Sequence, residues 1–261
     1  MLQSIKPIIL AGGIGSRAGT TAANPKQFIQ KTGQKSLYQQ AIHRTSSMQS
    51  PLVMTNILYE DFIKVQTTSP YQTYYEPLGR NTAAAIVIAA MRLRDDGHDI
   101  ALSLPSDHVI HDVNMFESNV KKAYQYLSNH DYGVLFGIRP SHPSTQYGYI
   151  QTDYFGNIVN FIEKPPLTKA QKLLKESAHT YWNSGLFLFR IATILDRAKE
   201  IDSHFYNLCN IAYKNPTLSN YELVPFLSFD ELFMEQSHHL FCVEAEFDWC
   251  DVGNEIMVQA V

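Results

Sequence analysis

Along the first half of the chain, short unbroken apolar runs alternate with longer stretches of helical spacing. "PIIL" (Pro7–Leu10), "PLVMTN" (Pro51–Asn56), "DIALSLP" (Asp99–Pro105) and "YGVLFGI" (Tyr132–Ile138) read as buried strands. Between them "SLYQQAIHRTSS", "NTAAAIVIAAMRLRDDG" and "VNMFESNVKKAYQYLSN" read as helices. Asn81 and Thr82 read as capping residues of the second helix and Gly97 as its stop, while Asp112 can cap the third. Apolar strands alternating with helices predict an α/β fold: a mostly parallel central sheet with helices on both faces. The second half has shorter runs, "YGYIQTD", "NIVNFIEKP" and "SGLFLFRI", separated by turn residues, with two further helical stretches. It predicts a mixed sheet region built onto the parallel one. No internal repeat or low-complexity tract interrupts the pattern, so residues 1–261 are expected to form a single domain.

With 261 residues, 45% of them hydrophobic and 18% charged, the chain can bury a substantial core. A formal net charge of -4 lacks the electrostatic footprint of a nucleic-acid-binding protein, so any polyanion must be met by a local group of cations. Cys209, Cys242 and Cys250 form no CxxC pair and no even framework, which argues against a disulfide scaffold or a structural zinc site. The start "MLQSIKPIILAGG" lacks the features of a signal peptide, and the apolar run Ala83–Met91 is too short to span a bilayer. A cytoplasmic protein without membrane or nucleic-acid partners is the expectation.

The segment "IILAGGIGSRAGTTAANPKQF" (Ile8–Phe28) carries candidate chemistry. In a parallel sheet, ligands bind at the carboxyl ends of the strands, and the first strand ends in "AGGIGSR". Gly12, Gly13 and Gly15 let backbone N–H groups approach an anion, and Arg17 and Lys26 add charge. Neither GxxxxGK[ST] nor the third glycine of GxGxxG is present, which disfavours a P-loop and a dinucleotide site.

"LAGGIGSR" followed by "NPKQF" resembles the signature of the sugar-nucleotide pyrophosphorylases, and "PKQF" is similar to its mannose-1-phosphate guanylyltransferase branch. The resemblance continues in chain order through "EPLGRNTAAAI", "LPSDHVI", "YGYIQ", "FIEKP", "WNSGLFLF", "SFDELFMEQ" and "FDWCDVGN". It implies a Rossmann-like nucleotidyltransferase fold and a Mg²⁺-dependent reaction of GTP with mannose 1-phosphate. It also implies roles for particular residues. Arg17, Lys26, Asp107 and Lys164 would be catalytic, with Lys26 and Arg17 on the triphosphate. Asp107 and Asp251 would hold Mg²⁺. Gly12, Gly13, Gly15, Arg80, Asn81, Thr82 and Ser106 would face the nucleotide. Gly148, Glu163, Lys164 and Asn183 would face the sugar phosphate. A homodimer is compatible with the family.

Local readings stand beside these. Asn81 serves equally well as an N-cap, Glu163 and Lys164 as a solvated edge pair, and Trp182 reads as core. His108 reads as a neighbour of Asp107, and His111, His238 and His239 as surface or structural residues. The interval "AGTTAAN" (Ala18–Asn24) lacks the leucine, aromatic, proline and second arginine of the family loop, and "DVGNE" carries Glu255 where the family has an aromatic. The usual C-terminal extension is not present within these 261 residues. Two alternatives therefore stay open: a weakly catalytic sugar-nucleotide-binding regulator, and a pyrophosphorylase for another base or hexose 1-phosphate.

Overall fold

The computed structural model describes residues 1–13, 24–30, 32–129, 133–234 and 240–252. Its strands are β1 (Ile5–Leu10), β2 (Leu52–Asn56), β3 (Gln72–Glu76), β4 (Ile100–Pro105), β5 (His108–Val109), β6 (Gly133–Ile138), β7 (Tyr149–Thr152), β8 (Ile158–Ile162), β9 (Thr180–Arg190), β10 (Leu240–Ala245) and β11 (Cys250–Asp251). Its helices are α1 (Leu37–Arg44), α2 (Glu60–Gln66), α3 (Asn81–Asp95), α4 (Val113–Asn129), α5 (Leu167–Glu176), α6 (Ile191–Ile201), α7 (Ser203–Lys214) and α8 (Leu218–Leu223).

The main sheet runs β10-β6-β9-β4-β1-β2-β3, and β7 extends it by pairing with β8 and β9. Along that seven-strand path all strands but β9 run in one direction, so the sheet is mostly parallel. The alternation of β1 shows how both faces are covered. Ile8 joins the core beneath α3, α6 and α7, whereas Ile5 and Ile9 join the opposite core with α1, α2 and α4. The mixed second half follows from β9, which is antiparallel to β4, β6 and β7.

Two expectations need correction. The sequence pattern does not predict β3, because "QTYYE" is polar; the strand lies at the sheet edge and only Glu76 in it is fully buried. Among the described residues the second half also has four α-helices, α5–α8, rather than two helical stretches. α3 does stop at Gly97, whose φ of 80° suits glycine, with His98 N–H donating to the Leu93 carbonyl. Asp112 likewise caps α4 through a 2.9 Å bond from Met115 N–H.

Candidate functional site

The carboxyl ends of β1, β3 and β4 open on one side, and the β7–β8–β9 region opens beside them. Asp107 lies in the turn after β4, and Asp251 ends β11. Antiparallel pairing of β5 with β11 sets Asp251 opposite His108, joining residues far apart in sequence. Arg44 of α1 braces this pair from behind: its almost fully buried guanidinium donates to the His108 carbonyl at 3.1 Å.

Lys26 opens the short helical turn Lys26–Phe28 and is buried to 8% exposure. Its Nζ lies 2.7 Å from Asp107 Oδ2 and 3.9 Å from Asp251 Oδ1, and donates to the Val252 carbonyl at 2.8 Å. His108 Nε2 lies 3.9 Å from an oxygen of each carboxylate. Burial works to raise the Asp107 carboxyl, yet His108 and the Lys26 ammonium hold it below the usual carboxylate range. Burial pushes His108 below its ordinary value against the pull of both carboxylates. Trp249 Nε1–H donates to His108 Nδ1 at 3.2 Å, which leaves Nε2 as the N–H donor on the side of the carboxylates.

On one side of this junction is a cleft of about 420 Å³ lined by Gly12, Gly13, Lys26, Gln27, Glu76, Arg80, Asn81, Thr82, Ser106, Asp107 and Phe226. Gln27, buried to 2%, fixes its floor by donating to the Ala11 carbonyl at 3.1 Å and the Gly13 carbonyl at 2.8 Å. A Cβ at Gly12 would stand 3.4 Å from Glu76 Oε2, so Gly12 and Glu76 are direct neighbours at the end of β3. Glu76 is itself 4% exposed and its Oε1 has no hydrogen-bond partner. Burial pushes its carboxyl up to about 8.

The start of α3 differs from a simple cap. Asn81 has φ 68°, and its Oδ1 accepts from Thr82 N–H at 2.8 Å. Ala83 N–H goes to the Leu227 carbonyl at 3.2 Å, and Thr82 Oγ1 accepts from Phe229 N–H at 2.8 Å. Two of the helix's four leading amides are thus already satisfied within the protein. Arg80 donates to the carbonyls of Val224 and Glu222.

On the other side is a cleft of about 210 Å³ that shares Leu10, Thr82 and Pro105 with the first and reaches Gly148, Glu163, Lys164, Asn183, Asp230, Trp249 and Asp251. β9 bulges here: Gly137 of β6 faces Asn183 and Leu135 faces Phe187, so β9 carries two extra residues. Gly185, at φ 70°, takes up the turn, and Ser184 Oγ donates to the Phe136 carbonyl at 2.6 Å. The bulge aims Asn183, whose Nδ2 donates to Asp230 Oδ1 at 2.7 Å. Burial, then the negative charge of Glu163, pushes the Asp230 carboxyl up to about 6. Lys164, at φ 38°, pairs with Glu163. A Cβ at Gly148 would fall 2.7 Å from Glu163 Oε2, so this glycine makes space for that pair, while its carbonyl accepts from Asn183 N–H at 2.8 Å.

Every sequence-predicted site residue within the described residues therefore lines one of two adjoining clefts, and His108 lines the smaller one with Asp251. Gly15 and Arg17 lie outside the described residues, as do His238, His239 and Glu255. Trp182 is core, at 6% exposure beside Tyr149 and Leu173, and His111 is exposed. Sequence reasoning missed Gln27, Glu76, Arg44, Asp230 and Phe226. For Gln27, Glu76 and Asp230 a signal existed, since each lies within a quoted motif; for Arg44 and Phe226 none did. Among the described residues no group of three or more His, Cys, Asp or Glu is arranged to hold a metal, and no helix is long and apolar enough to cross a membrane.

A mostly parallel sheet with paired clefts over its strand ends defines an α/β protein whose candidate ligand sites lie at the carboxyl ends of the strands. The family model described as "Nucleotidyl transferase" matches residues 6–256, and the chain belongs to that family. Its relatives include the alginate biosynthesis protein AlgA of Pseudomonas aeruginosa, 34% identical over 95% of this chain and 56% of that one. The mannose-1-phosphate guanylyltransferase RfbM of Salmonella typhimurium is 33% identical over 97% of this chain and 57% of that one. The chain thus spans a little over half the length of these curated relatives. A solved structure from Thermus thermophilus, described as mannose-1-phosphate geranyltransferase, superposes with a TM-score of 0.87 at 24% identity, covering 96% of this chain and 76% of that one.

Proposed function

We propose that this protein transfers a guanylyl group from GTP to mannose 1-phosphate, releasing pyrophosphate. The observation that carries the reading is the convergence of Lys26, Asp107 and Asp251 where the two clefts join. An acceptor phosphate from one side and an α-phosphate from the other would meet there. The sugar phosphate, with its second pKa near ~6, is already largely a dianion at neutral pH and needs no protein nucleophile. Alignment and charge neutralisation remain for the protein to supply.

Lys26 offers a compact cation to the triphosphate. Glu163, Asn183 and Asp230 offer acceptors and donors to sugar hydroxyls, and Lys164 a cation to the sugar phosphate. Glu76 favours guanine. An ionised carboxylate accepts from the paired N1–H and N2–H donors of that base, whereas adenine presents a lone pair at N1. The names of relatives such as RfbM support mannose 1-phosphate as the acceptor.

Asp107 and Asp251 suit a hard divalent cation such as Mg²⁺: both are partly exposed carboxylates, and both approach the same ammonium and the same imidazole nitrogen. Two protein ligands would leave the remaining positions to phosphate oxygens and water. Bound there, the ion would neutralise phosphate charge as the bond to the α-phosphorus changes hands. With GTP as a substrate, the cytoplasm is the expected compartment.

The test is pyrophosphate release with Mg²⁺, crossing GTP and ATP with mannose and glucose 1-phosphates. Release restricted to GTP and mannose 1-phosphate is expected, with Asp107→Asn lowering kcat at least about a hundredfold at saturating Mg²⁺. Unchanged turnover in that variant would remove Asp107 from the reaction. GDP-mannose binding without pyrophosphate release from any pair would leave a sugar-nucleotide-binding regulator instead.

A further inference from the structure

Phe226 is a large apolar side chain left 65% exposed, and it lines the Glu76 side of the larger cleft. Its neighbours are not loose. Val224 is fully buried and Phe229 is 6% exposed, both in the core that contains α3. The segment is fastened to the start of α3 at three points: Arg80 donates to the Val224 carbonyl, Ala83 N–H to the Leu227 carbonyl, and Phe229 N–H to Thr82 Oγ1. A phenyl ring is therefore held at the cleft wall by a braced backbone, with its apolar surface left in water. Leaving such surface exposed forgoes the stabilisation that burial gives, and a ligand that covers it recovers that term.

A second observation points to the same ligand. Glu76, within this cleft, is almost wholly buried yet keeps Oε1 without a partner. Glu76 thus holds an unused acceptor in the cleft lining, and Phe226 an exposed ring in the same lining. The sheet order separates this end from the acceptor cleft, because Glu76 closes β3 at one sheet edge while Asp107 follows β4, inward past β2 and β1. Phosphates at Lys26 would leave the base of the nucleotide to the Glu76 and Phe226 end.

We propose that Phe226 is the stacking platform for the nucleobase, fixing nucleotide affinity without selecting the base, while selection falls to Glu76. This rests on the reading of the cleft as a nucleoside triphosphate site. Every base has a π face, so stacking tolerates a change of base, whereas edge hydrogen bonds do not. Because the backbone is already braced, the contact needs no ordering of the segment on binding.

The test compares Phe226→Ala and Phe226→Trp with the parent, by steady-state kinetics and by calorimetric titration with GTP and ATP. For Phe226→Ala the KM and Kd for GTP should rise about ten- to a hundredfold. Its kcat and the KM for mannose 1-phosphate should stay within about twofold, the GTP-to-ATP preference should hold, and Phe226→Trp should restore affinity. Equal GTP affinity in Phe226→Ala and the parent overturns the proposal, as does equal loss in Phe226→Trp and Phe226→Ala. Should the parent bind GTP without releasing pyrophosphate, the transferase reading fails while the titrations still decide the role of Phe226. A parent that binds no nucleotide overturns both.

Discussion

A buried carboxyl with one oxygen unpartnered keeps its proton until a donor pair offers to replace water, and Glu76 is in that position. Its folded value near 8 lies above the ordinary 4.5, so the folded protein holds a proton that the unfolded chain has lost between those values. The stability this contributes is complete below about pH 4.5 and is lost as pH rises through 8. Glu76→Gln should therefore melt several degrees above the parent at pH 9 and show no such advantage at pH 4, by scanning calorimetry. Ligand binding runs the other way: if the carboxylate receives guanine, GTP affinity should climb with pH up to about 8 in the parent and be flat over that range in Glu76→Gln. The same variant should lose at least about tenfold in preference for GTP over ATP, because a glutamine amide presents one acceptor and one donor to a pair of donors. At this scale the sequence was legible where a residue follows directly on an apolar strand, as Asp107 follows β4. For Glu76 the motif "EPLGRNT" marked the place but not the chemistry, because its proton affinity comes from burial that only the fold creates.

Among the elements, β9 shows how irregularity positions a side chain. Its two extra residues opposite β6 direct Asn183 towards Asp230, and "WNSGLFLF" reads merely as an apolar run unless Gly185 is taken as a bulge. Gly148 in the neighbouring strand connection is constrained by space. Gly148→Ala would drive a Cβ to within 2.7 Å of Glu163 Oε2 and 2.9 Å of Phe161 Cζ. The expected outcome is a rise of about tenfold or more in KM for the sugar phosphate, with KM for GTP little changed. Steady-state kinetics with each substrate varied in turn will show whether the two clefts separate in this way. The apolar strands were readable because burial on both faces removes polar positions; β3 escaped because an edge strand keeps them.

For the molecule as a whole, the site exists only because crossing connections bring residues 12, 26, 76, 107, 164 and 251 to one end of the sheet. Ligands that bridge these segments should stabilise the entire fold. At about a hundredfold excess over Kd, GTP with Mg²⁺ contributes about 2.7 kcal/mol, raising Tm by roughly 5–10 °C. Asp107→Asn should abolish the part that depends on Mg²⁺, as differential scanning fluorimetry with EDTA controls can read. The position of Lys26 has one more consequence. With its ammonium seated between Asp107 and Asp251 and tethered to the Val252 carbonyl, the carboxylate pair already owns a counter-ion, which behaves as a stopper. A divalent ion entering alone has to evict it, and a triphosphate gives the displaced lysine somewhere to go. Cation and nucleotide should then help each other bind, by equal factors in both orders of addition. Lys26→Met should take Mg²⁺ more tightly than the parent when no nucleotide is present, lose that mutual assistance in calorimetric titrations, and turn over poorly, because the stopper is also the hand that receives the phosphates.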